Sequence, residues 1–71
     1  MNNNEELLDY YQFLFKNYPD VVKVEDLKEM LPKTGKNKIY KLLQDKEIFS
    51  KKIGRDYYIP KVCVIKYLVK K

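Results

Sequence analysis

Histidine and tryptophan are missing from this chain, cysteine occurs once, and only two glycines and three prolines interrupt its 71 residues. Each shortage removes a class of chemistry. Without histidine the commonest general base is gone, and the lone thiol of Cys63 has no second sulfur with which to complete a zinc site or an intramolecular disulfide. With glycine only at Gly35 and Gly54 there is no loop to cradle a nucleotide, and neither a nucleophile elbow nor a convergent carboxylate pair is spaced for catalysis. The residues argue against an enzyme, and no cofactor, metal or small-molecule substrate is expected. Cys63 lies in the apolar stretch Val62-Cys63-Val64-Ile65, where its simplest use is as a small core hydrophobe.

Long hydrophobic runs are absent too. None approaches the roughly 18 residues of a membrane span, and the opening Met1–Leu8 is acidic where a secretion signal is basic. A cytoplasmic protein with no membrane partner is the expectation. The length suits one domain over residues 1–71, near the lower limit for a core that folds without a disulfide or metal.

Charge, in contrast, is plentiful and segregated. The net charge of +5 divides unevenly: Met1–Pro32 has three lysines against seven acids, and Lys33–Lys71 has twelve cations against three acids. Lysine used as a general surface residue would be interspersed. A segregated distribution instead gives a field that turns the basic half toward a polyanion.

Leu7, Tyr11, Leu14 and Tyr18 recur at helical spacing, with Leu8 and Phe15 on a neighbouring stripe. They predict an acid-led helix over about Glu5–Asn17, capped by Asn4. Five of the ten aromatics fall here (Tyr10, Tyr11, Phe13, Phe15, Tyr18); they either complete a small core or form a partner-binding surface. Pro19 and Asp20 break the pattern. A second helix begins near Val24 or Glu25, turns Leu27, Met30 and Leu31 inward, and stops at Pro32. A third, capped by Thr34 or opened by Gly35, ends around Gln44–Lys46. Two short helices joined by a tight glycine-containing turn carry the helix-turn-helix signature.

After Glu47 the period changes to that of a strand, and Ile48–Pro60 reads as a hairpin around Gly54-Arg55-Asp56. A two-residue Gly54-Arg55 turn would pair Ile53 with Asp56 and put Ile53 and Tyr57 on opposite faces. A three-residue connection through Asp56 puts Ile53, Tyr57 and Ile59 on one face, and is expected because it buries all three. It leaves Lys52 and Tyr58 outward and Arg55 at the tip. Pro60 then opens a last helix to about Lys70, with Val62, Ile65, Leu68 and Val69 facing in and the terminal lysines suited to its dipole. The chain reads as mostly α with a β-hairpin, in the order helix, helix-turn-helix, hairpin, C-terminal helix, without repeats.

The third helix repays a reading around its axis. Ile39, Leu42 and Leu43 define its buried face, and Asn37 and Lys41 fall about 160° and 200° round from Ile39, opposite the core. Lys38 and Tyr40 flank them, with Gln44 one turn on. An amide there suits a bidentate contact to adenine, and a lysine suits guanine acceptors. Lys36 lies near the helix N-terminus, where free backbone amides and the dipole favour a phosphate. Tyr40 stands between bracing the core edge and giving its hydroxyl to a phosphate, and the expectation is that it does some of each. The hairpin adds Lys51, Lys52 and Arg55, so two basic projections come from adjacent elements. Alternation makes Tyr57 core and Tyr58 a lone ring, which disfavours a single-strand stacking platform.

Val24–Leu31, Gly35–Leu43 and the hairpin Lys51–Lys61 followed by an amphipathic helix resemble the excisionase-type small winged helix-turn-helix DNA-binding domains of mobile elements, distant relatives of the MerR-type regulators. The resemblance covers about Val22–Leu68. Its most telling part is Ile53-Gly54-Arg55-Asp56-Tyr57 running into Ile59-Pro60-Lys61, with Asn37-Lys38 and Tyr40 upstream. It implies a recognition helix with Thr34, Lys36, Asn37, Lys38, Tyr40, Lys41 and Gln44 at the DNA, helped by Lys33 of the turn and by a wing using Lys51, Lys52 and Arg55. Two departures stand out: the linker Pro32–Gly35 is one residue longer than the common pattern, and Asp56 replaces a frequent second basic residue.

The function expected is sequence-specific binding of double-stranded DNA. Its owner would be an excisionase or recombination directionality factor that bends DNA and works with a site-specific integrase, or a small transcriptional regulator with the same binding mode. A module this small reads few bases, so repeated sites, neighbouring copies on DNA or a partner protein would supply the remaining specificity. The alternative from another class is a protein-interaction module that docks through the aromatic N-terminal helix.

Overall fold

The computed structural model describes residues 3–70, with side chains described from Glu5 to Lys70. Four helices and three short strands follow in the order α1 (Asn3–Leu14), β1 (Val21–Val22), α2 (Val24–Met30), α3 (Lys36–Gln44), β2 (Lys51–Ile53), β3 (Asp56–Pro60) and α4 (Lys61–Lys70). Twelve apolar side chains form one buried cluster, drawn from β1, α2, α3, β3, α4 and the connecting segments, with Phe15 just past the end of α1. Leu27, Ile39, Ile48, Ile59 and Ile65 are its largest fully enclosed members. Each contributes roughly 1.5–3 kcal/mol by leaving water. The aromatic and aliphatic periodicity of the sequence therefore does converge on a common interior.

α2 and α3 form as the sequence indicates. The Lys23 backbone N–H donates to Asp26 Oδ2 at 3.1 Å, fixing the start of α2, and the helix closes at Leu31, one residue before Pro32. Gly35, not Thr34, is the N-cap residue of α3. At its other end the Glu47 N–H reaches Leu42 O (2.9 Å) and the Lys46 N–H reaches Leu43 O (3.2 Å), while Lys46 takes φ 62°. That is a Schellman closure with lysine in the left-handed position usually given to glycine.

A third strand, with no signal in the local sequence, joins the hairpin. Val21 and Val22 pair antiparallel with Pro60 and Ile59, so that β3 becomes the centre of a sheet ordered β1-β3-β2. Val22 and Ile59 face each other fully buried. Two residues are too few for alternation to announce, and the strand exists because β3 offers an open edge beside it.

The hairpin register differs from the expected one. Ile53 pairs with Asp56, Lys52 with Tyr57 and Lys51 with Tyr58, around a two-residue Gly54-Arg55 turn. Gly54 has φ 64° and Arg55 has no positive φ, the pattern of a type II′ turn whose twist matches that of the strands. Ile53 is consequently 58% exposed. The tip extends past the core, so there was no interior to reward burying Ile53, and turn geometry set the register. Lys52, expected outward, shares the face of Tyr57, its Nζ 5.5 Å from that ring. Lys51 joins Tyr58 on the other face, and Tyr58 is half-buried with Lys23 Nζ 5.7 Å from its ring, so it is not a lone exposed ring.

The two flanking helices also depart in detail. α1 ends at Leu14 rather than Asn17, with Leu8 and Tyr11 turned inward and Phe15 buried just past its end; Leu7 and Leu14 lie half exposed. The expected cap by Asn4 lies outside the described side chains, α1 running already from Asn3, and Lys71 of the terminal lysine pair is likewise outside. In α4 the buried pair is Val64 and Ile65, and Val62 is 54% exposed. Pro60 closes β3 instead of opening the helix, and the next amide, Lys61 N–H, donates to Asp20 O at 2.7 Å; Ile65, Leu68 and Val69 pack on the core as expected, while Val64 takes the enclosed place expected of Val62. Cys63 is a half-buried free thiol packed against the core.

α1 packs on α4 and is tied down by two polar contacts. Lys61 Nζ donates to the carbonyl oxygens of Phe15 (3.2 Å) and Tyr18 (2.9 Å), closing the end of the α1 segment. The Tyr18 hydroxyl donates to Glu29 Oε1 at 2.9 Å. That bond, then burial and the negative charges of Glu29 and Asp26, raises the tyrosine pKa above its ordinary value.

Candidate nucleic-acid interface

The physical question at α3 is what its outward stripe can reach. Burial of Ile39, Leu42 and Leu43 fixes the rotation of the helix, and that rotation leaves Lys36, Asn37, Lys38, Lys41 and Gln44 exposed. Lys41 Nζ lies 3.6 Å from Asp45 Oδ2, with both side chains largely in water. Such a pair contributes little and yields readily to a stronger acceptor. Tyr40, half-buried, places its ring 6.0 Å from Tyr57 of β3. This contact braces the wing against the helix through the rings.

The Tyr40–Tyr57 contact separates two concave surfaces. On one side, a notch of about 280 Å³ is lined by Lys36 and Tyr40 of α3, Arg55 and Asp56 of the wing tip, and Lys23 and Lys28 from the α2 region. On the other, Gln44, Lys46, Ser50 and Lys52 line a groove between the end of α3 and β2. Basic side chains from three elements thus surround the helix–wing junction. Glu25 and Asp56 in the first notch lower its positive field without cancelling it, four cations standing against two carboxylates.

The residues singled out in the sequence separate into groups. Lys36, Tyr40, Gln44, Lys52 and Arg55 line the two helix–wing surfaces. Asn37, Lys38 and Lys41 stand exposed on the open ridge of α3, and Lys51 on the outer wing face. Lys33 and Thr34 instead border a groove with Tyr11, Leu14 and Leu68, on the α1 side. Lys23, Lys28 and Lys46 were not anticipated. No local pattern distinguishes them from other surface lysines; only the fold, with the wing bent against α2 and α3, brings them to the junction.

Among the described residues no group of three or more His, Cys, Asp or Glu is placed to hold a metal, and no helix is long and apolar enough to cross a membrane. The pairing of α2 and α3 across a short linker, followed by a hairpin laid beside the second helix, defines a winged helix-turn-helix. The family model of a helix-turn-helix domain, of the excisionase type, matches residues 21–71, and the chain belongs to that DNA-binding family. α1 lies outside the matched segment. No curated protein and no solved structure gives a significant match.

Proposed function

We propose that the protein binds double-stranded DNA in a sequence-dependent way, laying α3 in the major groove and its wing on the neighbouring backbone or minor groove. The observation that carries the reading is the shared notch of Lys36, Tyr40 and Arg55, which makes helix and wing tip parts of one basic surface. Asn37, Lys41 and Gln44 are assigned to base edges. Lys36, Lys38 and the Tyr40 hydroxyl are assigned to the phosphates along the helix, and Lys51, Lys52 and Arg55 to those beside the wing; Lys33 and Thr34, which border the α1-side groove, are left out of this set. Base contacts set sequence preference; phosphate contacts set affinity and register.

Within that reading, the biological role is that of an excisionase or recombination directionality factor which bends DNA for a site-specific integrase. The excisionase type of the family supports this role. A small transcriptional regulator would use the same surface, and the difference lies in whether DNA excision by an integrase depends on the protein. The exposed Tyr10 and Phe13 of α1 favour an additional docking role for that helix over a purely structural one.

Selection of bound sequences from a random duplex pool at physiological salt tests the proposal. A consensus a few base pairs wide per copy is expected. Titration of that site should give log K falling with log salt at a slope of about −5 if about six phosphates are neutralised. An unenriched pool together with a flat salt response would overturn DNA binding through this surface.

A further inference from the structure

α1 shows the solvent something that α3 does not. Its outward side carries Leu7, Tyr10, Phe13 and Leu14, exposed by 40%, 56%, 68% and 50%. Scattered exposed apolar residues are ordinary, but four on contiguous positions of one twelve-residue helix make a patch. Leu7, Tyr10 and Leu14 repeat at i, i+3 and i+7, the spacing of a helix-pairing seam, and Phe13 borders it. The core does not need them, since Leu8, Tyr11 and Phe15 already anchor the helix. Nor does the helix-turn-helix unit, which begins at residue 21.

The charges around the patch indicate its occupant. Glu6 precedes Phe13 by seven residues and so lies on the same edge of the helix. At the other end of that edge, Lys16 Nζ sits 4.5 Å from the Phe13 ring centroid. One edge therefore carries a negative charge near its start and a positive charge near its finish. When two helices pair antiparallel, like edges meet in opposite directions, and Glu6 of each copy faces Lys16 of the other. In a parallel pair this edge would instead face the opposite, uncharged edge of the partner helix, and Glu6 and Lys16 would find no partner across the seam. The same antiparallel arrangement brings Leu7 opposite Leu14 and the two copies of Tyr10 together at the centre.

We propose that the exposed face of α1 is a self-complementary surface on which a second copy of this chain docks, antiparallel, about a two-fold axis near Tyr10. The patch is small beside the roughly 800 Å² per partner found in standard interfaces, so a weak dimer is expected. Such a dimer joins two helix-turn-helix units by a two-fold axis, the symmetry of an inverted repeat. The contact itself does not depend on the DNA-binding assignment.

Sedimentation equilibrium of the full chain without DNA, over a concentration series, tests it. The wild type should move from monomer toward dimer mass. Phe13→Ser and Glu6→Lys should each weaken association by about tenfold or more, and Glu6→Lys combined with Lys16→Glu should recover most of the loss caused by Glu6→Lys. Circular dichroism should report an unchanged fold, because Glu6, Phe13 and Lys16 are all exposed. A chain that stays monomeric throughout would overturn the proposal and leave a foreign protein as the occupant of the patch. A double variant as weak as the single Glu6→Lys would overturn the antiparallel pairing.

Discussion

α1 and α3 are both amphipathic helices that give one face to the same core, yet their free faces are opposites. α3 exposes Asn37, Lys38, Lys41 and Gln44, whereas α1 exposes Leu7, Tyr10, Phe13 and Leu14. Their attachment differs as well. α3 is held through fully or nearly fully buried Ile39, Leu42 and Leu43, while α1 leans on α4 through Phe15 and half-buried neighbours, supplemented by the Lys61 and Tyr18 hydrogen bonds. The helix with the polar free face is integral to the core, and the helix with the apolar free face is an addition strapped to it. A polar free face suits a hydrated polyanion; an apolar one gains free energy only when another surface covers it.

The comparison breaks first, and most severely, at the inward side of α3. Ile39→Ala should cost about 2–5 kcal/mol, a large part of the stability of so small a fold, and should lower the denaturant midpoint for every region together. If α1 and α3 melted separately in that variant, α3 would not be the integral element.

The outward side of α3 is sharpened by binding measurements. Asn37→Ala should lose about 1–3 kcal/mol on the selected DNA site and almost nothing on unrelated duplexes, at unchanged thermal stability. Arg55→Ala or Lys52→Ala should weaken all duplexes alike and make the salt slope shallower by about one unit. Equal losses on every sequence for Asn37→Ala would remove it from the base-reading set.

The strap on α1 comes next. Lys61→Met keeps the aliphatic stem but deletes the donor to Phe15 O and Tyr18 O, and should cost about 1–2 kcal/mol. Hydrogen exchange should speed up in α1 while α2 and α3 keep their protection, because their bonds do not pass through Lys61. Uniform loss of protection would mean that α1 is as integral as α3.

The smallest effect is expected at Tyr18. Tyr18→Phe removes a largely exposed hydrogen bond and should cost no more than about 0.5 kcal/mol at neutral pH. Because Glu29 holds the tyrosine pKa above its ordinary value, the unfolded chain loses that proton first as pH rises. The contribution is therefore complete below about pH 10 and fades as pH climbs through the folded value. Wild type and Tyr18→Phe should converge in stability at strongly alkaline pH, measured by denaturant melts across that range.

Much of the candidate interface was legible before any coordinates, and the reason is local. Ile39, Leu42 and Leu43 lie within two turns of Asn37 and Lys41, so helical period alone fixed which side of α3 faces out. The wing was less legible. Both registers of Lys51–Pro60 kept an alternating pattern, and the choice between them fell to the Gly54 turn and to how far the tip extends beyond the core, neither of which a count of buried side chains reveals. Lys52 changed faces with that register and came to lie near Gln44.

By itself, then, the sequence determined the helical segments, the helix-turn-helix at Val24–Gln44, the charge division and the outward stripe of α3, because period and breakers act over a few residues. Only the tertiary structure decided that Val21-Val22 become a strand, that Val64 rather than Val62 is enclosed, that Lys23 and Lys28 join Lys36 and Arg55, and that Leu7 and Leu14 stay in water. Each of those depends on which neighbour arrives from a distant part of the chain, and burial is a property of the pair, not of the residue.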